Sequence, residues 1–260
     1  MDLGLEGKRA WVLGASSGLG RATAARLAAE GASVAISSRT EENLRAVAGA
    51  IGGAAVVPLD VSAGRAAIEA AAERVASELG GIDIVVSNHG GPPVGRFDDI
   101  DDDTFVAAFQ LVLASAWRVT KAAVPHLRRA GGGVIVYVTS SSTKEIIPNL
   151  LLSNTMRTGV VGMMKTLSHE LAGDGIRLLC AAPGRIATER VLSLDTFSAE
   201  RQGITPAEAR QAAERDIPLG RYGEAEEFGD VVAFACSARA SYVSGTTLLV
   251  DGAKLVGVSS

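Results

Sequence analysis

The chain has 260 residues, 47% of them hydrophobic and 21% charged, an ordinary globular composition with enough apolar side chains for a sizeable core. A formal net charge of −4 offers no basic face for nucleic acid or anionic lipid, and the strongest run of like charge, DDIDDD at 98–103, reads as a solvated loop and helix start. MDLGLEGKRA at the start has no cationic leader before an apolar stretch, and no apolar run approaches membrane-spanning length, so a soluble cytoplasmic protein with no membrane or nucleic-acid partner is expected.

Apolar runs of strand length recur at 10–13, 33–37, 55–59, 82–86, 134–138, 176–181 and 247–250, separated by segments with helical spacing. Most are apolar throughout rather than alternating, so both faces of the sheet must be covered, which points to parallel strands with helices on each side. The expectation is an α/β fold: one Rossmann-like, doubly wound sandwich over 1–260 with a seven-stranded parallel sheet. The rhythm breaks near 193–217, where Pro206, Pro218, several charges and a short helix near 206–215 suggest a lid or insertion within 188–218, or a plain surface connection. Cys180 and Cys236 lie far apart in apolar segments and read as buried thiols.

The first strand runs into GASSGLG, residues 14–20, which opens a helix over 21–30 that stops at Gly31. Gly14 permits the sharp turn, Gly18 lets backbone approach a pyrophosphate, and Gly20 lets the helix pack closely, with the helix N-terminus facing the phosphates. No Lys-Ser or Lys-Thr follows the last glycine, which disfavours a nucleoside-triphosphate loop and favours a dinucleotide. Ser16, Ser17 and Leu19 complete that loop. At the end of the second strand, where a carboxylate would bind the ribose 2′-hydroxyl of NAD, the sequence has Ser37, Ser38 and Arg39. Arg39 offers a planar cationic fork to a 2′-phosphate and Ser38 a further donor, so NADP(H) is preferred over NAD(H).

With these features in order, the chain resembles the short-chain dehydrogenase/reductase family over essentially its full length. GASSGLG is similar to that family's cofactor loop, Asp60 and Val61 stand at its adenine-contacting position, and SNHG at 87–90 is similar to its Asn-Asn-Ala-Gly turn, with Asn88 and Gly90 at matching places. APGRIAT at 182–188 resembles its Pro-Gly-x-x-x-Thr segment beside the nicotinamide, which carries Pro183, Gly184, Ile186 and Thr188 into the cofactor set. The stretches 218–237 and 242–252 resemble its last helix and strand. The resemblance implies hydride transfer between a nicotinamide and a carbonyl or alcohol, and a homotetramer or homodimer formed through long helices.

The family's catalytic set is Asn, Ser, Tyr and Lys, and this chain departs from it. TLSHELAGDGIR at 166–177 fixes the register, so that SNTMR at 153–157 stands for Tyr-x3-Lys, with Ser153 and Arg157 at the two catalytic positions. Thirteen residues before Ser153, Ser140 matches the catalytic serine, and Val112 stands where the asparagine belongs. Lys165 lies eight residues past Arg157, roughly 12 Å along a helix, and reads as a solvated lysine. No tyrosine lies between Tyr137, inside the fifth strand, and Tyr222.

A tyrosine whose pKa is lowered by a lysine protonates the carbonyl oxygen as hydride arrives, which serine cannot do and an always-protonated arginine cannot relay. Arg157 can still contact the nicotinamide ribose and stabilise an oxyanion, with Ser140 and Ser153 as neutral donors. Candidate acids are His89, Lys144 and Glu145. His89 has the best unperturbed pKa but also reads as filler of a structural turn, and the other two read as solvated loop charges. His126 and His169 read as residues on the surface or one layer behind a site, with no assigned role, and HELAG at 169–173 lacks the second histidine of a zinc motif, so no metal is expected.

The leading expectation is an NADP(H)-dependent oxidoreductase acting on a carbonyl, imine or activated alkene, with catalytic candidates Ser140, Ser153, Arg157 and His89 and a small, apolar substrate. The alternative is a catalytically altered or non-redox cofactor-binding scaffold of the same fold. A carrier-protein-linked acyl reductase is weakened by the departures from the motif.

Overall fold

The computed structural model describes residues 1–257, so residues 258–260 of the expected 1–260 span lie outside the described residues. One sheet of seven parallel strands organises the chain, in the order β3-β2-β1-β4-β5-β6-β7. The strands are β1 (Arg9–Leu13), β2 (Ser33–Ser37), β3 (Ala55–Val56), β4 (Ile84–Ser87), β5 (Gly133–Val138), β6 (Ile176–Pro183) and β7 (Thr247–Val250). The third is shorter than the expected 55–59. Pro58 has no N–H to donate, yet Val57 and Leu59 on either side still donate to Ile36 and Ser38 of the β2 side, so the chain stays extended beyond the regular ladder.

The uniformly apolar strands work because successive side chains point to opposite faces. Trp11, Leu13, Val85, Ile135, Tyr137 and Leu178 pack on one side, against helices α3 (Arg65–Leu79), α5 (Ser115–Arg129) and α6 (Leu151–Glu170). Val12, Val34, Ile36, Val86, Val136 and Leu179 pack on the other, against α1 (Gly18–Ala29), α2 (Glu41–Ala50) and α9 (Ala225–Cys236). Cys180 and Cys236 are buried free thiols, pushed up to about 12 by that burial. Between β1 and β4 the winding reverses direction, and this switch point opens a crevice at the carboxyl ends of the strands.

The segment that breaks the strand–helix rhythm contains two helices, α7 (Glu189–Gln202) and α8 (Pro206–Arg215), where the sequence suggested one. α8 is signalled locally: Thr205 and Glu208 form a reciprocal capping box with Pro206 in the first turn. α7 is capped by Thr188, whose hydroxyl accepts from Val191 N, and ends at Gly203 in the left-handed region, with φ +66°. It is held from inside by Asp195, which is 3% exposed and accepts from Arg185 at 2.6 Å and from the Tyr222 hydroxyl at 3.0 Å.

One helical stretch is irregular. α4 (Asp102–Phe109) runs into a π-helical turn over Gln110–Ala114 before α5 begins. Such turns accommodate an extra residue and re-aim the side chains around them. Val112 is 2% exposed in the core, whereas its neighbours Gln110 and Leu111 line the crevice. One lesser expectation is corrected. His126 is buried rather than on the surface, because α5 turns it inward to bond Arg129 at 2.6 Å and approach Glu73 at 3.3 Å. Lys165 is exposed, and its Nζ also donates to Gly245 O at 2.9 Å.

Candidate active site

The crevice is a cleft of about 750 Å³ lined from one end to the other by residues from the carboxyl ends of β1, β2, β4, β5 and β6, and by α6 and α7. At one end lies the glycine loop. Gly14 has φ +60°, and a side chain there would come within 2.7 Å of Asn88. A Cβ on Gly20 would sit 2.2 Å from the Gly14 carbonyl oxygen, so the helix start closes directly onto the turn. Asn88 ties the two together by donating to Gly14 O at 3.1 Å. Ser17 caps α1 without a side-chain hydrogen bond, which leaves the first-turn N–H groups open to an anion, with Ser16, Gly18 and Leu19 alongside.

Next along the cleft come Ser38, Arg39, Asp60 and Val61. The Ser38 hydroxyl is buried and has no partner, and Arg39 enters no ion pair among the described residues. A buried hydroxyl without a partner costs free energy, and a phosphate oxygen is the complement it lacks. Asp60 is held below the usual carboxylate range by the Ser62 hydroxyl and N–H, with a smaller contribution from Arg39. The residues present therefore fit the adenosine end of a nicotinamide cofactor.

The other end brings together Ser140, Ser153, Arg157 and His89, with Gly90, Pro183, Gly184, Ile186 and Thr188 around them. Ser140 follows β5 and its Oγ accepts from Ser142 N at 3.1 Å, so its own proton remains available for donation. Ser153 is buried on the first turn of α6, and its hydroxyl has no hydrogen-bond partner among the described residues. One turn on, Arg157 Nη1 donates to Val138 O at 2.9 Å and to Thr139 O at 3.1 Å. Burial, followed by the charge of Arg190, lowers this guanidinium to about 10.

His89 shares a 2.9 Å hydrogen bond between its Nε2 and Ser87 Oγ, and its Nδ1 is buried without a partner. Burial and the nearby Arg157 charge push the imidazole down to about 3, so at neutral pH it is uncharged. None of the three tyrosines lines the cleft. Tyr137 is buried against Thr120 at 2.6 Å, and Tyr222 is engaged with Asp195. Glu145 is ion-paired with Lys254 at 3.3 Å.

Two charged residues of the cleft escaped the sequence reading. Arg190 and Glu189 stand in the first turn of α7, just after the Thr188 cap, and Arg190 Nη2 donates to Pro92 O at 2.9 Å. Only their position directly after the Pro-Gly-x-x-x-Thr segment could have pointed to them. Among the described residues no helix is long and apolar enough to cross a membrane.

The sequence profile of the enoyl-(acyl carrier protein) reductase family matches residues 14–253. Dehydrogenase/reductase SDR family member 4 of Bos taurus is 35% identical over 257 residues, covering 96% of this chain and 88% of the relative. The 3-oxoacyl-[acyl-carrier-protein] reductase of Thermotoga maritima is 33% identical over 256 residues, covering 97% and 99%. Among solved structures, L-sorbose reductase from Gluconobacter frateurii complexed with NADPH and L-sorbose has a TM-score of 0.93 at 29% identity, covering 99% of this chain and all of that one.

Proposed function

The chain belongs to the short-chain dehydrogenase/reductase family, and from that premise we propose that it is an NADP(H)-dependent reductase of a carbonyl or activated alkene whose oxyanion is held without a tyrosine acid. The carrying observation is that one continuous cleft is lined both by the glycine loop with Ser38 and Arg39 and by Ser140, Ser153 and Arg157. L-sorbose reductase and the actinorhodin polyketide ketoreductase have both been solved with NADPH, which accords with a nicotinamide cofactor here.

Gly14, Ser16, Ser17, Gly18, Leu19 and Gly20 would hold the pyrophosphate, Ser38 and Arg39 the 2′-phosphate, Asp60 and Val61 the adenine. Asn88, Gly90, Pro183, Gly184, Ile186 and Thr188 would flank the nicotinamide. The bound cofactor supplies a hydride to an electrophilic carbon. The Ser140 and Ser153 hydroxyls and the Arg157 guanidinium then hydrogen-bond the oxygen that gains negative charge, an arrangement whose value rises inside a desolvated cleft. Because His89 is neutral, it acts as a hydrogen-bonding group through Nδ1 rather than as a cationic acid, and the proton comes from water. An imine, the other substrate class that tolerates loss of the tyrosine, accords poorly with this end of the cleft, because an iminium would face the Arg157 charge.

We also infer that α7 and α8, within 188–218, form a lid whose hinge side is pinned by Asp195, and that the protein forms a homodimer or homotetramer through α4 and α5. Phe105, Val106, Phe109 and Trp117 are large apolar side chains left exposed on those helices, a composition typical of interface cores. The buried free thiols Cys180 and Cys236 are compatible with the cytoplasm.

The test is calorimetric titration of the cofactor-stripped protein with NADPH and with NADH, followed by NADPH oxidation assays against ketones, enones and imines. Tight NADPH binding, weaker NADH binding and turnover of a ketone or enone are the expected results. Binding without turnover of any substrate would favour a cofactor-binding scaffold, and no binding of either nucleotide would remove the reductase reading.

A further inference from the structure

We propose that the substrate end of the cleft is built to hold an anionic group between Arg157 and Arg190, so that the molecule reduced is an oxo acid or an unsaturated acid. This rests on the reductase reading and specifies its substrate class.

The two arginines come from different elements, α6 and the first turn of α7, yet line the same cleft. Each is oriented by backbone carbonyls rather than by a carboxylate. Arg157 spends Nη1 on Val138 O and Thr139 O, and the three remaining N–H groups on Nε and Nη2 have no protein acceptor among the described residues. Arg190 bonds Pro92 O, and its guanidinium lies against Gly91, where an added Cβ would come within 3.0 Å of Nε and Nη2. Gly91 thus leaves the room in which that guanidinium rests.

Neither charge is compensated. Among the described residues neither arginine enters an ion pair, whereas Arg9, Arg26, Arg128 and Arg185 all do. Of the acids that line the cleft, Asp60 is committed to Ser62 at the adenosine end, and Glu189 is exposed and pairs with neither arginine. His89 is neutral. Arg157 is half-buried and Arg190 keeps an exposed flank. Partial loss of water lowers the pKa of both guanidinium groups, and at Arg157 the neighbouring Arg190 charge adds to it, a cost that no counter-ion offsets. A ligand that brings the missing negative charge recovers that cost through charge-assisted, bidentate hydrogen bonds.

The cofactor's phosphates are one source of such charge, but the glycine loop and the Ser38–Arg39 pair already provide for them. A carboxylate on the substrate is the other source. Leu111, Leu150, Val191 and Leu194 line the cleft as well and suit a hydrocarbon body behind that head group. The small, apolar substrate expected from sequence becomes an amphipathic one.

The experiment is calorimetric titration of the NADP⁺-saturated protein with butanoate, hexanoate and octanoate and with the matching primary amides, repeated on Arg190→Gln, with NADPH affinity measured for both proteins. At least one carboxylate should bind about tenfold more tightly than its amide, and Arg190→Gln should abolish that preference while amide and NADPH affinities hold. Equal binding of acid and amide, or no binding of either, overturns the proposal. So does an Arg190→Gln loss shared by the amide, which would make Arg190 a strut of the lid, or shared by NADPH, which would assign it to the cofactor. Failure of the wild-type protein to bind NADPH would remove the reductase reading along with this one, whereas NADPH binding without carboxylate preference removes the anion site alone.

Discussion

Arg157 donates from one nitrogen to the carbonyl of Val138 at 2.9 Å, so the cation that the family resemblance sets at the lysine position is bolted to the last residue of β5. A lysine ammonium is a compact charge on a flexible stem, whereas the guanidinium can be anchored through one nitrogen and still present others to a ligand. The position is therefore suited to holding charge still, and unsuited to relaying a proton.

From this follows a gain-of-function expectation. Ser153→Tyr combined with Arg157→Lys should install the missing acid in a cleft with room for it, and raise NADPH-dependent turnover of a simple ketone by about a hundredfold. Steady-state assays at matched NADPH saturation measure it. No rise, with NADPH affinity retained, would mean that proton supply is not what limits ketone reduction.

On the proposed reading, Arg39 and the unpartnered Ser38 hydroxyl would carry a preference for NADPH. Arg39→Glu should weaken NADPH binding about tenfold to a hundredfold, the loss of charge-assisted hydrogen bonds, and leave NADH affinity the same or improved. Calorimetry with both nucleotides decides. An unchanged NADPH-to-NADH ratio would assign the 2′-phosphate to other residues.

His89 makes a prediction about acid stability. Its folded-state pKa, about 3, lies below the ordinary value of 6.5. Between those values the unfolded chain binds a proton that the folded chain does not, so stability falls as pH drops through that window. The same direction applies to His126, which burial also lowers, but His126 is common to both proteins compared. His89→Gln should thus lose less Tm than the parent on acidification from about pH 7.5 to about pH 5. Equal losses, measured by thermal melts, would show that His89 becomes protonated without opening the fold.

The Tyr222 hydroxyl is one of two donors to buried Asp195, the other being Arg185. Tyr222→Phe should cost about 1 kcal/mol, because Arg185 still pairs the carboxylate. The loss should be concentrated as faster amide hydrogen exchange in α7, 189–202. Uniform acceleration across the sheet would contradict a role confined to that helix.

Much of the fold was legible because its signals are local. Apolar runs without alternation imply a sheet covered on both faces, and the chain's own order of strand and helix leads to the doubly wound arrangement. GASSGLG and the Ser38–Arg39 pair are likewise readable, since a tight turn into a helix and the residues ending a strand depend on neighbours in sequence. The boundaries of β3 and the existence of α7 were less so. Pro58 interrupts a ladder whose regular pairing only the partner strand defines, and α7 carries a weaker start signal than the reciprocal cap of α8.

The sequence alone determined that a serine and an arginine stand at 153 and 157, the positions that the family resemblance aligns with its tyrosine and lysine. Only the tertiary structure decided their electrical state. His89 is neutral because the folded protein strips water from it and sets Arg157 nearby, and Arg157 is disfavoured as a cation first by its own burial and then by Arg190 approaching from another element. Arg190 itself reaches the site through a contact with Pro92, 98 positions away in the chain. Desolvation and the mutual distance of charges are properties of packing, and packing brings together residues whose separation in sequence carries no trace of their meeting.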